Sequence, residues 1–187
     1  MEDHIKREIL DKGLGNIKES PKDNGTLDKI VVRPESQKRI NLTTVEVSSK
    51  LGVHGDRWIH ESWKTLPNGE SDPLVQVAIT NSRSIDLVSG HRDRWDLLGD
   101  NLYLDFDLSE KNLSIGEFIS IGSVILEISS EPNYGCAKFL KHYGKDALKF
   151  INTSEGKQLR LRGIFARVVK DGTVTIGDTV TKHQFLP

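Results

Sequence analysis

Three things are scarce in this chain: cysteine, a surplus of either charge, and long apolar runs. The 187 residues include one cysteine, which excludes an internal disulfide framework and any multi-cysteine zinc site. Lysine and arginine total 26 against 27 aspartates and glutamates, a net charge of −1. That balance gives no support to a nucleic-acid partner, which usually leaves a basic footprint. Apolar stretches are only a few residues long, far short of the roughly 20 that span a membrane. Residues 1–13 are charged throughout and lack the apolar core of a signal peptide, so a cytoplasmic location is expected. Walker A, Gly-x-Gly-x-x-Gly and Gly-x-Ser-x-Gly patterns are missing as well. The six histidines are scattered, without the helical pairing of a zinc hydrolase. What remains is a chain 36% hydrophobic and 28% charged, with both signs mixed, enough for one ordered core.

Ile5, Ile9 and Leu10 predict one apolar stripe on a helix over residues 2–14, stopped by Gly13 and Gly15. Turn formers fill residues 19–25, so residues 1–24 read as a helix and linker before a domain over 25–187. From there the pattern is that of strands: 27–33, 39–47, 74–80, 102–106, 117–121, 124–129, 163–169, 173–176 and a short one at Val180. Asp171-Gly172 between alternating apolar runs predicts a hairpin. Ile115-Gly116, Ile121-Gly122 and Ile176-Gly177 echo one another where strands begin, as tight bends of a barrel require. Helices are expected over 81–89, with Asn81 as N-cap, and over 136–151, broken at Gly144. Strands and helices do not alternate regularly, which argues against a doubly wound sheet. The expected fold is mainly β: a closed antiparallel β-barrel with a few peripheral helices.

Four groups of residues could carry chemistry. Cys136 falls at a helix start, where the macrodipole favours thiolate, with Lys138 and His142 nearby; the alternative is a small buried core residue. Arg160 and Arg162 would share one face of an extended segment, suiting phosphate or carboxylate, or else form a solvated strand edge. Gly55-Asp56-Arg57-Trp58, with His54 and His60 close by, is either a ligand loop or a loop pinned by Trp58 in the core. Asp105 and Asp107, two apart, would share a face as an acid/base pair or as exposed surface.

The ordered set Gly99-Asp100-Asn101, Ile115-Gly116, Glu131-Pro132, Cys136-Ala137-Lys138-Phe139, Arg162-Gly163-Ile164-Phe165-Ala166-Arg167-Val168 and Gly172-Thr173-Val174-Thr175-Ile176-Gly177-Asp178 resembles a MOSC domain. That is the C-terminal domain of molybdenum cofactor sulfurases, also found as small separate bacterial proteins. Gly55-Asp56-Arg57 extends the resemblance toward the N-terminus. It implies a β-barrel and a part in molybdenum-cofactor (molybdopterin) chemistry, as a cofactor-dependent reductase or a sulfur-transfer protein. Cys136 matches the family cysteine, which would relay sulfur as a persulfide or ligate molybdenum; a soft thiolate suits both. The resemblance makes Arg160, Arg162, Asn101, Lys138, Asp56 and Arg57 candidates for binding the cofactor. The partners it implies are that small molecule or a sulfur-donor protein. Pyridoxal phosphate, bound by a separate sulfurase domain in larger relatives, is not expected on this one. Where reductase relatives carry His-Gly-Gly, this chain has residues 58–64, WIHESWK. The competing reading is a non-catalytic ligand-binding or interaction barrel with a structural cysteine.

Overall fold

A computed structural model describes residues 4–184. Its strands are β1 (Gly25–Val32), β2 (Ile40–Leu42), β3 (Thr44–Ser48), β4 (Gly52–Val53), β5 (Val77–Asn81), β6 (Leu102–Asp105), β7 (Phe118–Ile121), β8 (Val124–Ile128), β9 (Ile164–Lys170), β10 (Gly172–Thr175) and β11 (Thr179–His183). Among the described residues, seven of them close a barrel in the order β11-β7-β8-β9-β5-β6-β1, and β1 pairs back onto β11 at Gly25 and Val180. Alternation drives the closure, because residues two apart on a strand share a face. Ile119, Ile121, Val124, Leu126 and Ile128 point inward from the β7–β8 hairpin to meet Leu27, Ile79, Leu102, Leu104 and Ala166. The opposite faces of β1 and β6 send Val31 and Tyr103 outward into a second apolar layer beneath the helices. Those helices are α1 (Arg7–Lys18), α2 (Trp58–Glu61), α3 (Ser82–Ser89), α4 (Ala137–Ile151) and α5 (Ser154–Gln158), of which α1, α3 and α4 contribute to that layer.

The expected bends are there. Gly116, Gly122 and Gly177 all adopt positive φ, at 83°, 55° and 93°. Asn81 caps α3 by accepting from the Ser84 amide.

The expected closed, mostly antiparallel barrel is present, with one departure: β5 and β6 run parallel with Ile79 opposite Leu102, and α3 and a 3-10 stretch over Arg92–Leu98 make the crossover that a parallel pair needs. Three expectations need correction. Asp171-Gly172 closes no hairpin: β10 leaves β9 and pairs with β3 in a separate three-stranded sheet with β4. Gly172 is there for closeness, because a Cβ would lie 2.4 Å from Ser123 Oγ, and Ser123 and Thr173 exchange hydrogen bonds across that contact. The strand expected over 74–80 begins instead as a 3-10 turn, Pro73–Val75, capped by the Asp72 side chain. Finally, Gly13 and Gly15 do not end α1. Gly13 sits inside the helix in close approach to α3, where a Cβ would lie 2.4 Å from a Leu87 methyl.

Gly144 does break α4, with φ 85° and ψ 175°. The His4 ring occupies the place of its missing Cβ, 2.6 Å away. Gly144→Ala therefore combines backbone strain with overpacking and is expected to destabilise the protein by about 2–4 kcal/mol. Gly15→Ala, in open space within α1, should stabilise it by up to about 1 kcal/mol. Urea midpoints of the two variants check the pair.

Candidate functional site

Cys136 is the N-cap residue of α4, extended at φ −116° and ψ −178°. Its carbonyl accepts from the Leu140 amide, while its side chain makes no capping bond and is exposed. The buried-core alternative for this cysteine therefore does not hold. Gly135 beside it packs closely on the second half of α4, where a Cβ would lie 2.5 Å from a Leu148 methyl and 2.8 Å from an Ile151 methyl. Lys138 is exposed in the first turn.

The loop over residues 129–134, separated from the cysteine by Gly135, walls a cleft of about 130 Å³. Lys157, Arg160, Arg162 and Gly163 form the facing wall, with Ile115 and Ile164 between. Lys157 Nζ stands 5.5 Å from the centre of the Tyr134 ring, a cation–π contact across the two walls. Both arginines face this cleft, but not from an extended strand. Thr153 caps α5 through the Gly156 amide, and the chain then turns with Arg160 at φ +50°. Arg160 Nη1 donates to the carbonyls of Leu113 (2.6 Å) and Leu108 (3.2 Å), and burial pulls its pKa below the usual guanidinium value.

Arg162 runs the other way, into a pair with Asp100 at 2.7 Å. Burial pulls its pKa down, but the charge and hydrogen bond of Asp100 outweigh burial and hold the proton more firmly than usual. Cys136 does not itself line the cleft. Two donors at the cleft, Arg162 Nε and Asn133 Nδ2, are buried without a hydrogen-bond partner.

Asp56 and Asn101 belong to a different network. The Asp56 carboxylate accepts from Arg33 Nε, Arg33 Nη2 and the Arg33 amide, each at 2.8 Å, from Asn101 Nδ2 at 2.9 Å and from the Trp58 amide at 3.0 Å. Asn101 Oδ1 accepts from the Ala78 amide and Arg33, and its Nδ2 also reaches the Val31 carbonyl. Both side chains are saturated by the barrel wall, while Arg57 pairs with Glu61 at 2.9 Å. Asp105 and Asp107 part company too: Asp105 pairs with Arg83, and Asp107 accepts from the Ser109 amide.

Sequence reasoning missed Arg33 and the role of Asp100. The turn at Gly99 (φ +78°) sends neighbouring residues to two destinations, Asp100 to Arg162 and Asn101 to Asp56. The segment in place of His-Gly-Gly forms α2 and delivers Lys64 to Glu131 (2.5 Å) and Asp72 (3.2 Å), bracing the cleft loop from outside. Among the described residues, no group of three or more His, Cys, Asp or Glu side chains is placed to hold a metal ion, and no helix is long and apolar enough to cross a membrane.

Residues 72–181 match the family model of the MOSC domain, and the chain belongs to that family. Solved structures share the fold. The YUAD protein from Bacillus subtilis is 16% identical with a TM-score of 0.62, over 86% of this chain and 97% of that one. YiiM from Geobacillus stearothermophilus is 17% identical with a TM-score of 0.55, over 86% and 75%. YiiM from Escherichia coli is 15% identical with a TM-score of 0.54, over 86% and 71%. A search of curated protein sequences finds no match.

The molybdenum cofactor associated with this family is a test for the cleft. The orphaned Nε and Nδ2 donors fit the oxygens of a small anionic group such as phosphate. The volume of about 130 Å³ does not fit a whole pterin, since pockets for ligands of that class run to about 300 Å³ or more.

Proposed function

We propose that this MOSC protein carries sulfur on Cys136 and that the cleft beside it receives the anionic end of the molecule that takes the sulfur. The observation that carries the reading is an exposed cysteine whose side chain has no hydrogen-bond partner among the described residues, two residues beyond the loop that walls an arginine-lined cleft. In the transfer, the Cys136 thiolate attacks the outer sulfur of a donor persulfide. The donor S–S bond breaks, the donor leaves as its thiolate, and Cys136 becomes a persulfide with no net change of redox state. Arg160 and Arg162 supply the positive end of the acceptor site. Exposure favours this over the structural-cysteine barrel, whose sulfur would be shielded.

Native-state alkylation tests it. Iodoacetamide is expected to modify the folded protein within about tenfold of the rate for the urea-unfolded chain, with Cys136→Ser unmodified. Protection of the thiol until unfolding would overturn the reading.

A further inference from the structure

We infer that the surface surrounding Cys136 docks an acidic segment of a partner protein that brings or removes the sulfur; the inference rests on the thiol reading above. The first half of α4 presents Lys138 and Lys141, and the second half Lys145 and Lys149, all exposed. None of the four makes an ion pair among the described residues, although the chain as a whole is slightly acidic. The acid on the same helix, Asp146, accepts from the Arg7 amide. Two exposed apolar side chains lie close to the cysteine in sequence, Tyr134 two residues before it at 58% and Leu140 one turn after it at 41% exposure.

An aromatic and an aliphatic anchor inside a charged rim is the composition of a protein-docking surface. The sign of the rim selects an acidic partner. A net charge of −1 disfavours a nucleic acid, whose charge extends well beyond four lysines. Unpaired lysines also steer an acidic segment during approach, so the effect belongs mainly to the association rate.

Three short peptides test this, identical except that their cysteine, activated as a thiopyridyl disulfide, is flanked by glutamates, lysines or serines. Attack by the Cys136 thiolate on the peptide sulfur breaks the activated S–S bond, releases thiopyridone for optical detection and leaves a mixed disulfide. At low ionic strength the glutamate peptide is expected to react about tenfold faster than the lysine peptide, with the gap closing in molar salt. In the Lys141→Glu, Lys145→Glu double variant the preference should fall by about tenfold, while the serine peptide reacts at the wild-type rate. Equal rates for the two charged peptides, or a preference untouched by salt or by the double variant, would overturn the docking proposal alone. A thiol inert to the serine peptide would remove the sulfur reading and this proposal with it. Protection of Cys136 by phosphatidylserine vesicles, with no peptide preference, would assign the lysines to a membrane and also overturn it.

Discussion

Asp56→Ala is expected to cost about 3–5 kcal/mol of folding stability, because it leaves the Arg33 guanidinium without its carboxylate inside the barrel wall. The Asp56 side chain is 1% exposed and holds together three segments that are distant in sequence: Arg33 at the end of β1, Asn101 before β6, and the start of α2. Burial alone would raise its pKa, but the hydrogen bonds and charge of Arg33, with the Trp58 amide, hold it below the ordinary carboxylate value. A depressed folded-state pKa fixes the sign. The stabilisation is fully present above the unfolded carboxylate value of about 3.9 and is lost as pH falls through the folded value. Urea unfolding between neutral and acidic pH should therefore show a steep acid limb in the wild type and a flatter one in Asp56→Asn. An acid limb of equal slope in both would show that another carboxylate sets it.

Asp100→Asn is the second large effect, expected at about 3–5 kcal/mol, since the Arg162 side chain beside the cleft is only 13% exposed and would keep its charge without a counter-ion. Arg162 lines the cleft, so this loss should also alter it. A double-mutant cycle separates the pair from its surroundings. Arg162→Gln combined with Asp100→Asn should cost clearly less than the two single changes added together, because no buried charge is stranded. Strict additivity would mean that the two residues stabilise the protein independently.

Much of this molecule is legible from local pattern alone. Period-two alternation at 117–121 and 124–129 dictates the β7–β8 hairpin, and positive-φ glycines mark where the strands begin. A proline- and glycine-containing approach to an amphipathic segment places Cys136 at the start of α4. What stays hidden is direction and distance. β5 is buried along its whole length, and a fully buried strand looks the same whether its neighbour runs parallel or antiparallel. Asp171-Gly172 has the composition of a hairpin turn, but its glycine answers to the backbone of Ser123, some 50 residues away in sequence. Arg160 and Arg162 look like one face of a strand until the left-handed turn at Arg160 is known, and no residue type announces that turn. The pairs that shape the candidate site, Asp100 with Arg162 and Asp56 with Arg33, join residues that no local spacing connects. They also change the meaning of the motif residues, since Asn101 and Asp56 spend their hydrogen bonds on the barrel wall.

Intact-mass spectrometry after incubation with glutathione persulfide tests the central claim most directly. Sulfur carriage on Cys136 predicts a wild-type protein heavier by one sulfur atom, with the added atom removed by a reductant and no gain in Cys136→Ser. A wild type that stays at its original mass, while the same donor loads a small thiol in the same tube, would contradict it.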